Sequence, residues 1–161
     1  MRYFVTGEQQ RKSLLNTLIL LFLGYIVLLC ISNALMYFHR MDLTPSSVIA
    51  YYLGSEENFT QPRSYEGMLE VLHFHLFSMG LLAVTLTHLM LMTEFSIRLK
   101  IVLSLLVYSS ALGDELGGWL VRFVSPLFAY FKIAAFVTLE LSLMTLLIAV
   151  IISLFKARRS F

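Results

Sequence analysis

Four long apolar stretches dominate this chain, running from about Ser13 to Phe38, Met68 to Met92, Ile101 to Val121 and Leu127 to Phe155. Crossing a hydrocarbon core of about 30 Å takes roughly 20 helical residues, and each stretch reaches that length. Backbone groups surrounded by lipid must bond within their own segment, so each stretch is expected to be a transmembrane helix. No alternating pattern of barrel strands competes with this reading. Composition agrees: 58% of the 161 residues are hydrophobic and 14% are charged, against about 25% charged in a soluble domain. A soluble globular enzyme is excluded. So is disorder, which needs low hydrophobicity and high charge. The single cysteine, Cys30, excludes an intramolecular disulfide and any cysteine-built zinc or iron–sulfur site within one chain. A net charge of +2, with no basic stretch interleaved with aromatics, gives no footprint for nucleic acid.

The basic residues orient the chain. Arg2, Arg11, Lys12, Arg98, Lys100, Lys156, Arg158 and Arg159 fall on one side of the expected spans, and Arg40, Arg63, Arg122 and Lys132 on the other. The richer side is cytoplasmic by the positive-inside rule, which puts both termini inside. The reading is therefore one all-α domain over residues 1–161, an up-down antiparallel four-helix membrane bundle, N-in and C-in, in a bacterial inner membrane. The first apolar run exceeds the usual core of a signal peptide, so it is read as an uncleaved anchor. The outer loop, residues 39–66, holds one expected short helix, with Thr44 as N-cap, Pro45 at its first position and Gly54 just past its end. Asn58-Phe59-Thr60 fits a glycosylation sequon.

Charged residues inside spans are costly and usually face protein or water. On the second span, 100° per residue groups Glu66, Glu70 and His73 on one arc, continued by Gly80, Val84, Thr87 and His88, with His75 on the opposite side. His73 and His88 are fifteen residues apart, about 22 Å along the axis, with Gly80 midway. This spacing resembles the haem-carrying helices of cytochrome b-type membrane proteins, in which two histidines on one helix hold haems near opposite membrane surfaces and a glycine between them admits the porphyrin edge. The resemblance covers this one helix. It implies haem b ligated by His73 near the outer surface, with His39 as the opposing ligand, Gly80 giving room, Phe77 and Leu81 packing the porphyrin, and Arg40 or Arg63 meeting its propionates. His88 has no histidine partner in the chain. Each histidine also has a plainer reading, as a headgroup, packing or hydrogen-bonding residue.

Glu70-x-x-His73 is also the carboxylate–imidazole pair of di-iron bundles, though no second copy is present. A single transition-metal ion held among His39, His73, Glu70 and His75, or completed by Asp114 and Glu115, is a further expectation. The third span carries Gly113 and Gly117 four apart, a spacing that allows close helix approach, together with Asp114 and Glu115. Folding the chain back at Ser125-Pro126 sets Lys132 level with Gly117 and within about a turn of both acids, and Glu140 level with Ser109 and Tyr108. With Arg122 these residues make an expected buried charge network, either an ion pair that fixes helix register or a proton or ion path toward Glu140. Below Glu140 the fourth span offers only Ser142, Thr145 and Ser153.

Three functions are consistent with these residues. One is a haem-b electron-transfer subunit working with quinone or an outer-side redox partner. A second is an accessory or scaffold subunit packed against other membrane or outer-side subunits, or paired as a homodimer. The third is a metal-ion- or proton-handling membrane protein. No phosphate-binding glycine loop or nucleophile elbow occurs, so no catalysis by the chain alone is expected.

Overall fold

The computed structural model describes the backbone of residues 2–57 and 59–159 and the side chains of residues 11, 13–57 and 59–156. Asn58, the acceptor of the sequon, lies outside the described residues. The fold is all-helical: α1 (Arg2–Arg40), α2 (Pro45–Leu53), α3 (Tyr65–Leu91), α4 (Ile97–Phe123) and α5 (Phe128–Arg159).

The starts of three helices follow from local chemistry. Thr44 caps α2 by accepting from the Ser47 amide at 3.4 Å, and Pro45 takes the first helical position, where a missing N–H costs nothing. Ser64 caps α3 through the Gly67 amide at 3.2 Å, and Ser96 caps α4 through Leu99 at 3.4 Å. Gly54 ends α2 at φ +84°, and a Cβ there would lie 2.6 Å from the Thr60 carbonyl oxygen. The loop that follows folds back on α2. Ser55 and Thr60 exchange backbone hydrogen bonds of 3.2 and 3.0 Å, and Arg63 donates its amide to the Tyr52 carbonyl at 3.1 Å.

Among the described residues, three segments are long and apolar enough to cross a membrane: Ser13–Arg40, Tyr65–Leu91 and Phe128–Lys156. The stretch read from sequence as a further span lies in α4 and is not among them. Although α4 has 27 residues, it carries Arg98, Lys100, Asp114, Glu115 and Arg122, which pull its hydropathy down.

Packing centres on α5. Half of its apolar window is buried, against 17% for that of α1 and 22% for that of α3. The closest pair is α4 and α5, turned by a tight link in which the Leu120 carbonyl accepts from Val124 and Ser125 at 3.0 and 2.9 Å. α3 lies against α4, and α1 rests on α5. Two apolar clusters divide the interior. One, near the α3–α4 turn, gathers Leu23, Ile26, Leu86, Met90, Val107 and Leu146 among others. The other, at the α2 end, joins Tyr37, Val48, Tyr52, Met68, Val121 and Phe136. Exposed apolar side chains of α1, such as Leu21, Tyr25 and Leu28, turn outward. On α1, α3 and α4 the polar residues Asn33, His75, Asp114 and Glu115 fall between the two clusters.

Candidate functional site

The close approach of α4 and α5 sets the first pair. A Cβ on Gly117 would lie 3.0 Å from the Lys132 Cα, so the absence of a side chain there lets the two backbones meet. Lys132 then reaches Asp114, donating from Nζ to Oδ1 at 2.6 Å and to the Asp114 carbonyl oxygen at 2.9 Å. The Lys132 and Asp114 side chains keep 7% and 14% of their surface exposed. Burying one of them alone would leave an uncompensated charge; together, with an extra carbonyl acceptor, they are matched.

The neighbouring acid, Glu115, pairs across the interface with His75 of α3, whose Nδ1 meets its Oε1. His75 belongs to the inward stripe of α3, which also carries the buried Met68, Leu82, Leu86 and Met90. The histidine face chosen from sequence is therefore the wrong one for the interior. Glu66, Glu70, His73 and His88 are exposed, and a Cβ on Gly80 would meet nothing within 4 Å. Polar residues clustered on one arc of α3 because that arc faces away from the bundle.

Glu140 lies deeper on α5, where Asn33 of α1 donates from Nδ2 to its Oε1 at 2.6 Å. Arg122 is not brought into this network. Its Nε donates to the Arg63 carbonyl oxygen at 3.0 Å, tying α4 to the segment that precedes α3. His39 is exposed at the end of α1.

A cavity of about 390 Å³ opens at the α2 end and is lined by both ion pairs. Its wall includes Tyr37, Tyr52 and Trp119, and its mouth Arg40 and Arg63. Tyr37 stacks on Phe136 with ring centroids 3.6 Å apart. It is 6% exposed, and its hydroxyl has no hydrogen-bond partner among the described residues. Burial, followed by the nearby Asp114 carboxylate, pushes the Tyr52 phenol well above its ordinary range, so it stays protonated. Gly118 makes room for that phenol: a Cβ there would lie 2.5 Å from the Tyr52 oxygen. At the mouth, the Arg63 guanidinium lies 4.0 Å over the Tyr51 ring, and Arg40 donates to the Tyr51 hydroxyl at 3.4 Å. Neither arginine has a carboxylate partner among the described residues. A second cavity of about 120 Å³ shares Asn33, Met36, His75, Asp114 and Glu115 with the first and extends to Glu140 and Cys30.

Of the residues assigned to haem, His39, His73, Gly80 and His88 all lie outside these cavities. His39 and His73 are both exposed. Among the described residues, no three His, Cys, Asp or Glu side chains converge as a metal would require. Sequence reasoning passed over Asn33, Tyr37 and Tyr52. The signal for Asn33 was present, since an amide inside an otherwise apolar span needs a buried partner.

Long apolar helices with charges paired between them define an integral membrane protein. Residues 42–161 match a family described as a transmembrane helical domain, Aq_1264_TM, and the chain belongs to that family. The match covers all of α2 to α5. No curated protein matches the chain, and neither does any solved structure.

Proposed function

We propose that this protein is a four-helix membrane bundle that binds a small polar ligand in a cavity opening to the outer face of a bacterial inner membrane. The eight cations assigned to the inner side and the four at the α2 end support N-in, C-in orientation. α4 serves as the fourth span because its two acids are matched by Lys132 and His75. Unpaired at the centre of the bilayer, each acid would cost about 2.5–3.5 kcal/mol; paired, they are carried inside protein.

The observation that carries the reading is one cavity lined by two ion pairs and a buried, unpartnered tyrosine hydroxyl. Pure packing would close such a space, since helix interiors are filled to near-crystalline density. Its volume lies in the usual range of small-molecule sites, about 300–1,000 Å³. His75 and Glu115 can also pass a proton between ligand and solvent, because imidazole changes charge near neutral pH. The inner cavity leads this exchange as far as Glu140. Beyond it stand Leu143, Leu146 and Leu147, all buried, so the route ends in the bundle. Binding, with local proton exchange, is better supported than transport across the membrane.

Met68 tests the cavity. It is 8% exposed and lines the wall, so water reaches it only through the opening. In a Cys30→Ser background, Met68→Cys reacts with a small charged methanethiosulfonate added from the outer side. Leu86→Cys, in the dry cluster, stays unmodified. Equal protection of both positions would overturn the reading.

A further inference from the structure

We infer that the ligand is a zwitterion carrying a phosphate and a primary ammonium, and that it enters sideways as the headgroup of a membrane phospholipid. The inference rests on the binding role proposed above and names the chemistry of that site.

The cavity is electrically polar along its length. Arg40 and Arg63 stand at the mouth without carboxylate partners among the described residues, and so present positive charge. At the deep end, Asp114 uses Oδ1 for Lys132 and Glu115 uses Oε1 for His75. The second oxygen of each makes no hydrogen bond among the described residues and is free to accept. Each acid already has a partner, so its remaining oxygen offers an acceptor to a donor group of the ligand. A guanidinium pair favours a phosphate through charge-assisted bonds. A primary ammonium brings three N–H donors for the carboxylate oxygens. Tyr37 lies between the two ends, three residues before Arg40 on α1, about one helical turn away. Its buried, unpartnered hydroxyl can donate to an ester oxygen of the phosphate.

The route follows from packing. α1 packs on α5 and α3 on α4, and the cavity is lined by α1 and α3 together, through Met36 and Val71 among others. Those two side chains are 42% and 43% exposed on the apolar surface. The opening between α1 and α3 therefore faces acyl chains as well as water. A headgroup can enter there while its tails stay in the membrane.

Trp119 is the single tryptophan and lines the cavity, so its emission reports occupancy. The purified protein in detergent is titrated with dihexanoyl phosphatidylethanolamine, phosphatidylcholine or phosphatidylglycerol, and separately with free phosphoethanolamine. The expected result is a saturable emission change with phosphatidylethanolamine. Phosphatidylcholine, which lacks N–H donors, and phosphatidylglycerol, which lacks the cation, bind at least about tenfold more weakly. Arg63→Gln, Glu115→Gln and Tyr37→Phe each weaken the phosphatidylethanolamine response. Tyr37→Phe keeps the stacked ring, so its loss of binding is not a loss of fold. A phosphoethanolamine response equal to that of the lipid keeps the zwitterion and overturns the lipid source. Equal responses to all three lipids, or a preference for phosphatidylglycerol, overturn the zwitterion. If Met68→Cys is still modified from outside in that case, the cavity stands and only the ligand class falls.

Discussion

Lys132 is 5% exposed, and its ammonium has two oxygen acceptors, both from Asp114. Replacing it with Met removes the cation and leaves the acid buried. Lys132→Met alone should destabilise the protein by about 3–5 kcal/mol. The double change Lys132→Met, Asp114→Asn should recover much of that loss, because no charge is then stranded. Chemical unfolding in detergent measures both, and additive damage in the double variant would sink the pairing as an energetic unit. The meeting of these residues was legible in sequence, since the hairpin turn at Pro126 sets their levels. The inward histidine was not. Near a membrane surface polarity marks either the bundle interior or the headgroup layer, and Glu66, Glu70 and His73 sit in the first turns of α3, where exposed polar groups can reach water. The apolar residues Met68, Leu82 and Leu86, fourteen and four residues apart, identify the inner face, with His75 seven residues from each of the first two. Partner residues on other helices, such as Asn33 and Tyr37, needed the tertiary fold, because nothing local ties α1 to α5.

At the scale of elements, α2 was the most legible, with its cap, first-turn proline and terminal glycine each written in one residue. α4 was read as a span from its apolar stretch, yet its charges keep it out of the segments long and apolar enough to cross a membrane. Its glycines separate two effects. At Gly117 a side chain meets the Lys132 backbone at 3.0 Å, whereas at Gly80 of α3 it meets open space. Gly117→Leu should therefore force α4 and α5 apart and cost at least about 1–3 kcal/mol, the usual range for overpacking. Gly80→Leu should leave stability unchanged or slightly raised, because helix propensity improves. Thermal unfolding of the two variants checks the contrast. Equal losses would show that the α4–α5 contact is not the tight one.

The whole molecule is asymmetric along its helices: dry toward the α3–α4 turn, polar and hollow toward α2. That division fits a protein that meets a ligand from one side, and it ties function to orientation. Eight cations against four support the proposed orientation, with the α3–α4 turn inside. The same end carries Glu94 and Lys156, whose side chains are 83% and 75% exposed and lie 3.2 Å apart. Such an exposed pair adds little stability, so Glu94 is a suitable position for substitution. Glu57, in the loop after α2, is exposed at the opposite end. In a Cys30→Ser background, Glu57→Cys should react with an impermeant maleimide added to intact cells, and Glu94→Cys only after the membrane is opened. Reaction of Glu94→Cys in intact cells, with Glu57→Cys protected, would invert the molecule. The cavity would then open to the cytoplasm, and Met68→Cys would be modified from that side instead. The two cysteine experiments thus fix separate facts, one the existence of the opening and the other the compartment it faces.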